Sequence, residues 1–188
     1  MRVAVVLGCA LTASALFAQT RTFQIRPDSR NVAQFHAEDS YDAFDGRTDK
    51  VSGTIVADPA NPQAASVDVS VNMASLDTEN SLRNHEMRDR YLEVSKYPAA
   101  TFKSVSVAAP PSISLNQPAG IRVTGDFTLH GIAKRMTIPV HVTLLPDGRV
   151  HVTSDFIVHM PDFGIDVPHN VLVVVNDDIP VKLDLWAR

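Results

Sequence analysis

The stretch IRVTGDFTL, residues 121–129, alternates apolar and polar side chains over its whole length. Its apolar side comprises Ile121, Val123, Phe127 and Leu129. This period of two is that of a β-strand, because successive side chains of a strand point to opposite faces of the sheet. One apolar face and one polar face predict an antiparallel sheet that is covered on a single side.

The same alternation recurs in four further segments, which are residues 66–73, 136–144, 150–158 and 179–185. Pro146-Asp147-Gly148 separates two of them and suits a tight hairpin, in which glycine adopts a positive φ. Even-numbered residues are apolar on both sides of this turn, so facing residues have numbers with an even sum. That parity predicts a three-residue loop rather than a two-residue loop.

One segment, residues 81–92, predicts a short helix. Asn80 is in position to cap its N-terminus, and Met87 and Tyr91 are among its apolar members. The helix must end before Pro98, because proline disfavours helical backbone in the residue ahead of it.

The length and the alternation together predict a single all-β domain. The alternation corresponds to about eight to nine strands. A sheet of this size with one apolar face becomes either a two-sheet sandwich or a closed barrel, and periodicity leaves both open. The chain has 188 residues, of which 45% are hydrophobic, and this length permits one sizeable core. A net charge of −4 without any basic run argues against nucleic-acid binding.

Residues 1–18 have the layout of a secretory signal peptide. Arg2 gives a positive start, residues 3–18 carry no charge, and small residues crowd the end of the segment. Cleavage after Ala18 places the domain, residues 19–188, in the periplasm or outside the cell. An uncleaved anchor is the alternative, although the run is shorter than the roughly 20 residues of a membrane helix. The only cysteine, Cys9, lies in this leader, so the domain is expected to fold without disulfides.

No strong catalytic motif is present in the sequence. The chain has no Gly-x-Ser-x-Gly elbow, no phosphate-binding glycine-rich loop and no His-Glu-x-x-His pair. His141 and His151 are expected on the outer face of neighbouring strands, but two imidazoles without a third ligand make a weak metal site. We therefore predict neither an enzyme nor a bound metal or other cofactor.

Other polar clusters are predicted to be solvated. Four acidic residues lack the spacing of a calcium-binding loop and predict a solvated acidic loop: Asp39, Asp42, Asp45 and Asp49. Three histidines at strand ends or in loops are predicted to be exposed turn residues: His130, His159 and His169.

Several segments, taken in order, resemble the signature of the YceI-like family. They are SLDTEN at residues 75–80, the arginine-containing helix that follows, YLEVSKYPAATFKS at residues 91–104, VTGDFTLHGI at residues 123–132 and DFGI at residues 162–165. The similarity extends over about residues 22–188. Arg135 stands where the family usually has proline, and Ser29-Arg30 stands in the region of its early His-Ser pair.

This resemblance implies an extended, eight-stranded, antiparallel, lipocalin-like β-barrel with one short helix, exported to the periplasm. Members of the family hold isoprenoids or other long-chain amphiphiles in the barrel, and no established enzymatic step comes with the fold. The resemblance therefore favours the barrel over the sandwich. It predicts an isoprenoid-like lipid or a quinone as the partner.

Inward-facing apolar side chains are predicted to form the wall of a lipid pocket. Burial of each methylene yields about 0.8 kcal/mol, so about a dozen buried carbons yield about 10 kcal/mol before the cost of ordering the lipid. The alternative for each wall residue is to fill a solid core. The predicted wall residues are Val69, Val71, Phe102, Val123, Phe127, Ile138, Val140, Val142, Val152, Phe156, Phe163, Val181 and Leu183.

Five cations are predicted to meet an anionic or quinone head group: Arg83, Arg88, Arg90, Lys134 and Arg135. The main hypothesis is thus a carrier or reservoir of isoprenoid-like lipid in the cell envelope. One alternative is an envelope stress or interaction protein whose filled barrel docks a protein partner. Another is an enzyme that acts on a lipid. Exposed strand edges also permit a homodimer.

Overall fold

The computed structural model describes residues 20–38, 42–167 and 175–188. The predicted leader, together with Asp39 and His169, lies outside the described residues. Within these ranges ten strands are present: β1 (Arg21–Ile25), β2 (Val32–Glu38), β3 (Ala43–Thr48), β4 (Val51–Ala57), β5 (Ser66–Asn72), β6 (Ala99–Ala108), β7 (Ala119–Leu129), β8 (Ile132–Leu144), β9 (Val150–His159) and β10 (Asp178–Ala187). Three short 3₁₀ turns span Pro62–Ala64, Met73–Ser75 and Met160–Phe163.

Eight of these strands form a closed antiparallel ring in the order β1-β4-β5-β6-β7-β8-β9-β10. The ring closes where β10 meets β1, with Ile25 facing Ala187. The N–H of Gln24 donates to the carbonyl of Arg188 at 2.7 Å, and the N–H of Arg188 donates back at 3.1 Å. The eight-stranded barrel is therefore confirmed, and the sandwich that periodicity left open is excluded.

The two ends of the barrel differ in their covering elements. The upper end carries the helical segment between β5 and β6 and the β7–β8 turn, whereas the lower end carries the β4–β5, β6–β7 and β8–β9 connections. One apolar cluster, around Phe23, Val150 and Leu185, lies in the lower half. A second, around Leu129 and Phe163, lies in the upper half. No described helix is long and apolar enough to cross a bilayer.

A hairpin of β2 and β3 extends the barrel beside β10, where Phe35 faces Val181. Asp45 lies on β3, so the prediction that residues 39–49 form a solvated loop is wrong for residues 43–48. β3 can pair with β2 because Gly46 lies directly opposite Phe35. A Cβ at Gly46 would come within 2.1 Å of Phe35 Cε1, so glycine leaves room for the aromatic ring.

The β8–β9 hairpin has the predicted three-residue loop. The N–H of Leu145 donates to the carbonyl of Arg149 at 2.8 Å, which leaves residues 146–148 as the loop. Leu144 faces Val150, in agreement with the even sum of facing numbers. Gly148 has a φ of +81°, so the positive dihedral predicted for this glycine is confirmed.

The predicted helix is present as α1 (Ser81–Glu86) followed by a π-helical turn over Met87–Tyr91. Asn80 caps it as expected, because its Oδ1 accepts a hydrogen bond from the N–H of Arg83 at 3.1 Å. Neither part of this helical segment contains a fully buried residue. The segment therefore lies on the barrel's upper end rather than inside the core.

Candidate functional site

An apolar cavity of about 770 Å³ lies inside the barrel between the upper and lower ends. This volume is within the range of small-molecule binding sites, roughly 300–1,000 Å³. Its wall consists mainly of the inward-facing Val, Ile, Leu and Phe side chains of the strands, which follow from the period-two alternation. The interior thus offers a concave apolar surface suited to an apolar chain.

Twelve of the thirteen predicted wall residues line this cavity: Val69, Val71, Phe102, Val123, Phe127, Ile138, Val140, Val142, Val152, Phe156, Val181 and Leu183. Phe163 does not line it. This side chain is 2% exposed and lies in the 3₁₀ turn after β9, with its ring centroid 5.4 Å from that of Phe127. Phe163 therefore supports a wall residue from behind, and contact between any wall residue and a lipid stays a prediction.

Sequence reasoning missed the apolar contributions of the first three strands and of the helical segment. Phe23 of β1, Phe35 of β2 and Phe44 of β3 also line the cavity. The signal was available, because the sequences of β1 and β2 alternate apolar and polar residues as the later strands do. From the helical segment, Met87 and Tyr91 complete the apolar lining at the upper end.

Polar groups in the lining are few, and two of them, Ser154 and Asp58, have structural partners. The hydroxyl of Ser154 donates to the carbonyl of Pro139 at 2.6 Å, and Asp58 Oδ1 accepts the N–H of Ala60 at 2.9 Å. Among the described residues no histidine lines the cavity. Ser154 therefore has no imidazole beside it in the described part of this lining.

The upper rim of the cavity carries the charged side chains Arg83, Glu86 and Arg90, all from the helical segment. Arg83 Nε donates to Thr78 Oγ1 at 3.0 Å and its Nη2 donates to the Thr78 carbonyl at 2.9 Å. Its guanidinium also lies 4.0 Å from the ring centroid of Phe44. Arg83 thus ties the helical segment to the preceding turn and to β3.

The other predicted head-group cations divide into two groups. Arg88 Nε donates to the carbonyl of Leu76 at 3.0 Å and does not line the cavity. Lys134 and Arg135 are exposed residues of β8. Their partners are Asp162 at 3.4 Å and Asp126 at 2.7 Å, respectively. Lys134 and Arg135 therefore lie outside the cavity rather than at its rim.

The SLDTEN segment that contributes to the family resemblance has a structural role next to this rim. Asp77 Oδ1 accepts hydrogen bonds from Asn84 Nδ2 at 2.7 Å and from the N–H of Glu79 at 2.9 Å. These two hydrogen bonds lower the pKa of Asp77 below its usual value. Asn84 Oδ1 in turn accepts the N–H and the hydroxyl of Thr78, both at 2.8 Å. The network fixes the turn that begins the helical segment.

His130 is not the exposed turn residue that the sequence predicted. Its side chain is only 12% exposed, and its Nε2 lies 2.9 Å from Glu93 Oε2. Its Nδ1 lies 3.1 Å from the carbonyl of Phe163, and its ring packs edge-on against Tyr97 at 4.6 Å between centroids. His130 therefore joins the end of the helical segment to the turn after β9.

Two further histidines, His141 and His151, lie on the outer surface of the barrel. His141 and His151 are diagonal neighbours, as predicted, because His141 faces Thr153. His151 stacks on Trp186 with ring centroids 4.2 Å apart, and its Nε2 lies 2.8 Å from Asp184 Oδ1.

One trio of potential metal ligands occurs among the described residues: His159, Asp177 and Asp178, whose ligand atoms lie within 4.8 Å of one another. His159 Nδ1 already lies 2.8 Å from Asp178 Oδ1. This contact raises the pKa of His159, which favours the protonated ring that cannot bind a metal.

Comparison with known proteins assigns the barrel to a family. The profile of the YceI-like domain matches residues 23–187, almost the entire described chain. The chain belongs to the YceI-like family. The resemblance suggested by the SLDTEN, Lys-Tyr-Pro and Asp-Phe-Gly segments is thereby confirmed.

Among relatives of this YceI-like chain, a UPF0312 protein of Vibrio cholerae is 38% identical over 99 residues, which cover 52% of this chain and 49% of the relative. Protein YceI of Escherichia coli is 37% identical over 87 residues, which cover 46% of this chain and 42% of the relative. The matched region thus spans about half the length of these curated relatives or less.

Two solved structures share the barrel of this YceI-like chain. BcnA of Burkholderia cenocepacia superposes with a TM-score of 0.72 at 22% identity, covering 84% of this chain and 96% of BcnA. A polyisoprenoid binding domain from Saccharophagus degradans, implicated in plant cell wall breakdown, superposes with a TM-score of 0.70 at 16% identity. That match covers 90% of this chain and 99% of the domain. At such identities the likeness establishes the fold.

Proposed function

We propose that this YceI-like barrel binds one isoprenoid or other long-chain amphiphilic lipid in its interior. The observation that carries the proposal is the apolar cavity of about 770 Å³, which is lined by strand side chains and has charged groups at its upper rim. The fold likeness to a domain described as polyisoprenoid binding supports the choice of lipid class. A quinone with a prenyl tail belongs to the same class of ligand.

The energetics of the cavity suit such a ligand. An apolar chain gains about 0.8 kcal/mol for each methylene removed from water, without needing a specific polar partner. Ordering a flexible tail and restricting its translation oppose this gain. Because the lining contains few polar groups, affinity is expected to depend mainly on the tail, and selectivity on the charged upper rim.

The cellular role in this proposal is that of a carrier or reservoir in the cell envelope. Residues 1–18 have the composition of a signal peptide, which supports export to the periplasm or beyond. A homodimer through strand edges is compatible with this role and is not required by it. The cavity favours lipid binding over a filled barrel that only docks a protein partner.

Organic extraction of the purified protein, followed by mass spectrometry, tests the proposed function. We expect one class of long-chain lipid at close to one molecule per barrel, enriched over a mock purification from cells that lack the protein. Absence of bound lipid, combined with no uptake of labelled prenyl lipid by the folded protein, would overturn the proposal.

A further inference from the structure

We propose that the barrel prefers lipids with an anionic head group, and that Arg90 at the upper rim is the residue that selects them. This inference rests on the proposed lipid-binding function and adds the chemical class of the head group. It predicts prenyl or acyl chains that end in a phosphate or a carboxylate, with the tail inside the barrel and the head beside the helical segment.

The argument begins with the partners of the five candidate cations. The guanidinium of Arg83 donates hydrogen bonds to Thr78 and lies over the ring of Phe44. Arg88 is bonded to the Leu76 carbonyl. Lys134 and Arg135 are paired with carboxylates on the outside of the barrel. Four of the five cations therefore have protein partners that an incoming head group would have to replace.

Arg90 differs from these four in its surroundings. It lines the cavity, is exposed, and its guanidinium contacts the ring of Tyr91 at 5.5 Å from the centroid. Within the described part of the chain it forms no ion pair. Its planar donors thus remain available at the point where a bound lipid would emerge from the cavity.

The chemistry of a guanidinium favours an anionic partner at this position. Its fixed fork of N–H groups matches the geometry of phosphate and carboxylate oxygens, which it binds through two parallel hydrogen bonds. Tyr91 and Met87 beside it are apolar lining residues, so the contact would be less screened than a contact in bulk water.

Glu86 sets a limit on this preference. It lies one helical turn before Arg90 and also lines the cavity, so its carboxylate competes with an anionic head group for the guanidinium. The three charged rim residues, Arg83, Glu86 and Arg90, nevertheless sum to one positive charge. The rim is therefore expected to attract an anion, and removal of the Glu86 charge should strengthen that attraction.

The test compares lipids that share one tail and differ only in the head group: farnesol, farnesyl monophosphate and farnesoic acid. Dissociation constants are measured for the wild-type protein and for Arg90→Gln, Glu86→Gln and Arg135→Gln. The readout is the ratio of the constants for the neutral alcohol and for each anion, since any change in tail binding cancels in this ratio.

We expect the wild-type protein to bind at least one anion more tightly than the alcohol. Arg90→Gln should reduce that preference about five- to tenfold, Glu86→Gln should increase it, and Arg135→Gln on the outer wall should leave it as in wild type. The phosphate and carboxylate arms show which anion the rim favours.

An unchanged ratio in Arg90→Gln, or a wild-type preference for the alcohol, would overturn the inference while leaving the lipid-binding function intact. Failure of all three lipids to bind the folded wild-type protein would instead count against the proposed function itself.

Discussion

Val140 and His141 are neighbours on β8 that face opposite sides of the barrel wall. Val140 lines the cavity, whereas His141 is exposed on the outside. Val140→Asp introduces a charge into an apolar interior, so we expect it to lower the free energy of unfolding by about 2–4 kcal/mol and to abolish lipid binding. Urea unfolding and uptake of a labelled prenyl lipid measure the two effects.

His141→Asp is the matched control, because it adds the same charge to the same strand on the solvent side. Val140→Thr keeps the shape of the side chain, so its lipid affinity can be measured if the aspartate variant does not fold. Wild-type lipid affinity in both Val140 variants would show that this position does not contact the ligand.

His36 gives a prediction about pH. Its Nδ1 lies 2.8 Å from Asp45 Oδ1 and its Nε2 lies 3.1 Å from Glu38 Oε1. These hydrogen bonds raise the pKa of His36 above the ordinary 6.5. Folding therefore favours the protonated ring, so the stabilisation is fully present below the unfolded-state pKa and is lost as the pH rises through the folded-state pKa.

The corresponding measurement is the melting temperature of wild type and His36→Gln as a function of pH. The difference between the two proteins should be larger at about pH 5.5 than at about pH 9. Asp45→Asn removes the stronger partner and should reduce the same difference. A gap between wild type and His36→Gln that is independent of pH would contradict this account of His36.

At the scale of residues, alternation was informative within strands and uninformative at their ends. It predicted that Val140 and Phe156 face inward, because a strand fixes the side of each residue. It could not place Phe163 or His130, which lie in turns whose direction depends on tertiary contacts. Both pack against neighbours more than thirty residues away in sequence: His130 against Glu93, and Phe163 against Phe127.

At the scale of elements, the capping role of Asn80 in the helical segment can be tested by substitution. Asn80 Oδ1 satisfies the N–H of Arg83, one of the unpaired donors of the first turn. Asn80→Ala should lower the free energy of unfolding by about 1 kcal/mol in urea titrations. Ser81→Ala, at the next position, is the control and should change it by less than about 0.5 kcal/mol. Equal effects of the two substitutions would argue against a capping role.

Elements differed in how well the sequence predicted them. The β8–β9 hairpin was predicted to the residue, because facing positions on a sheet must share parity and only an odd loop satisfies this. β3 was missed, because its alternation is interrupted by Gly46 and by acidic residues that are common in loops. Its pairing depends on Phe35 lying over Gly46, a contact between strands that a single segment does not reveal.

At the scale of the whole molecule, periodicity alone could not predict that the sheet closes into a barrel. The closing pair, Ile25 and Ala187, joins opposite ends of the described chain, and a sandwich would show the same alternation. The cavity was equally hidden, because inward-facing Val and Phe side chains line a hollow barrel and fill a solid one alike. The family resemblance predicted the barrel, whereas only the three-dimensional structure shows that its interior contains a cavity.

Ligand binding should also alter global stability. A lipid that binds only the folded barrel raises the free energy of unfolding by about 2.7 kcal/mol at about a hundred times its Kd. For a domain of this size we expect the Tm of delipidated protein to rise by about 5–10 °C. Thermal melts with farnesyl monophosphate, and with a water-soluble phosphate as the control, measure the shift. An identical Tm with and without lipid would indicate that the cavity remains empty.

The most direct test of the central claim is the stoichiometry of lipid uptake by delipidated, folded wild-type protein titrated with a radiolabelled prenyl lipid. An apolar cavity of this size predicts saturable uptake that reaches a plateau at one chain per barrel and is lost in Val140→Asp. Uptake that fails to saturate, or that is absent from protein whose circular dichroism shows an intact barrel, would contradict the account.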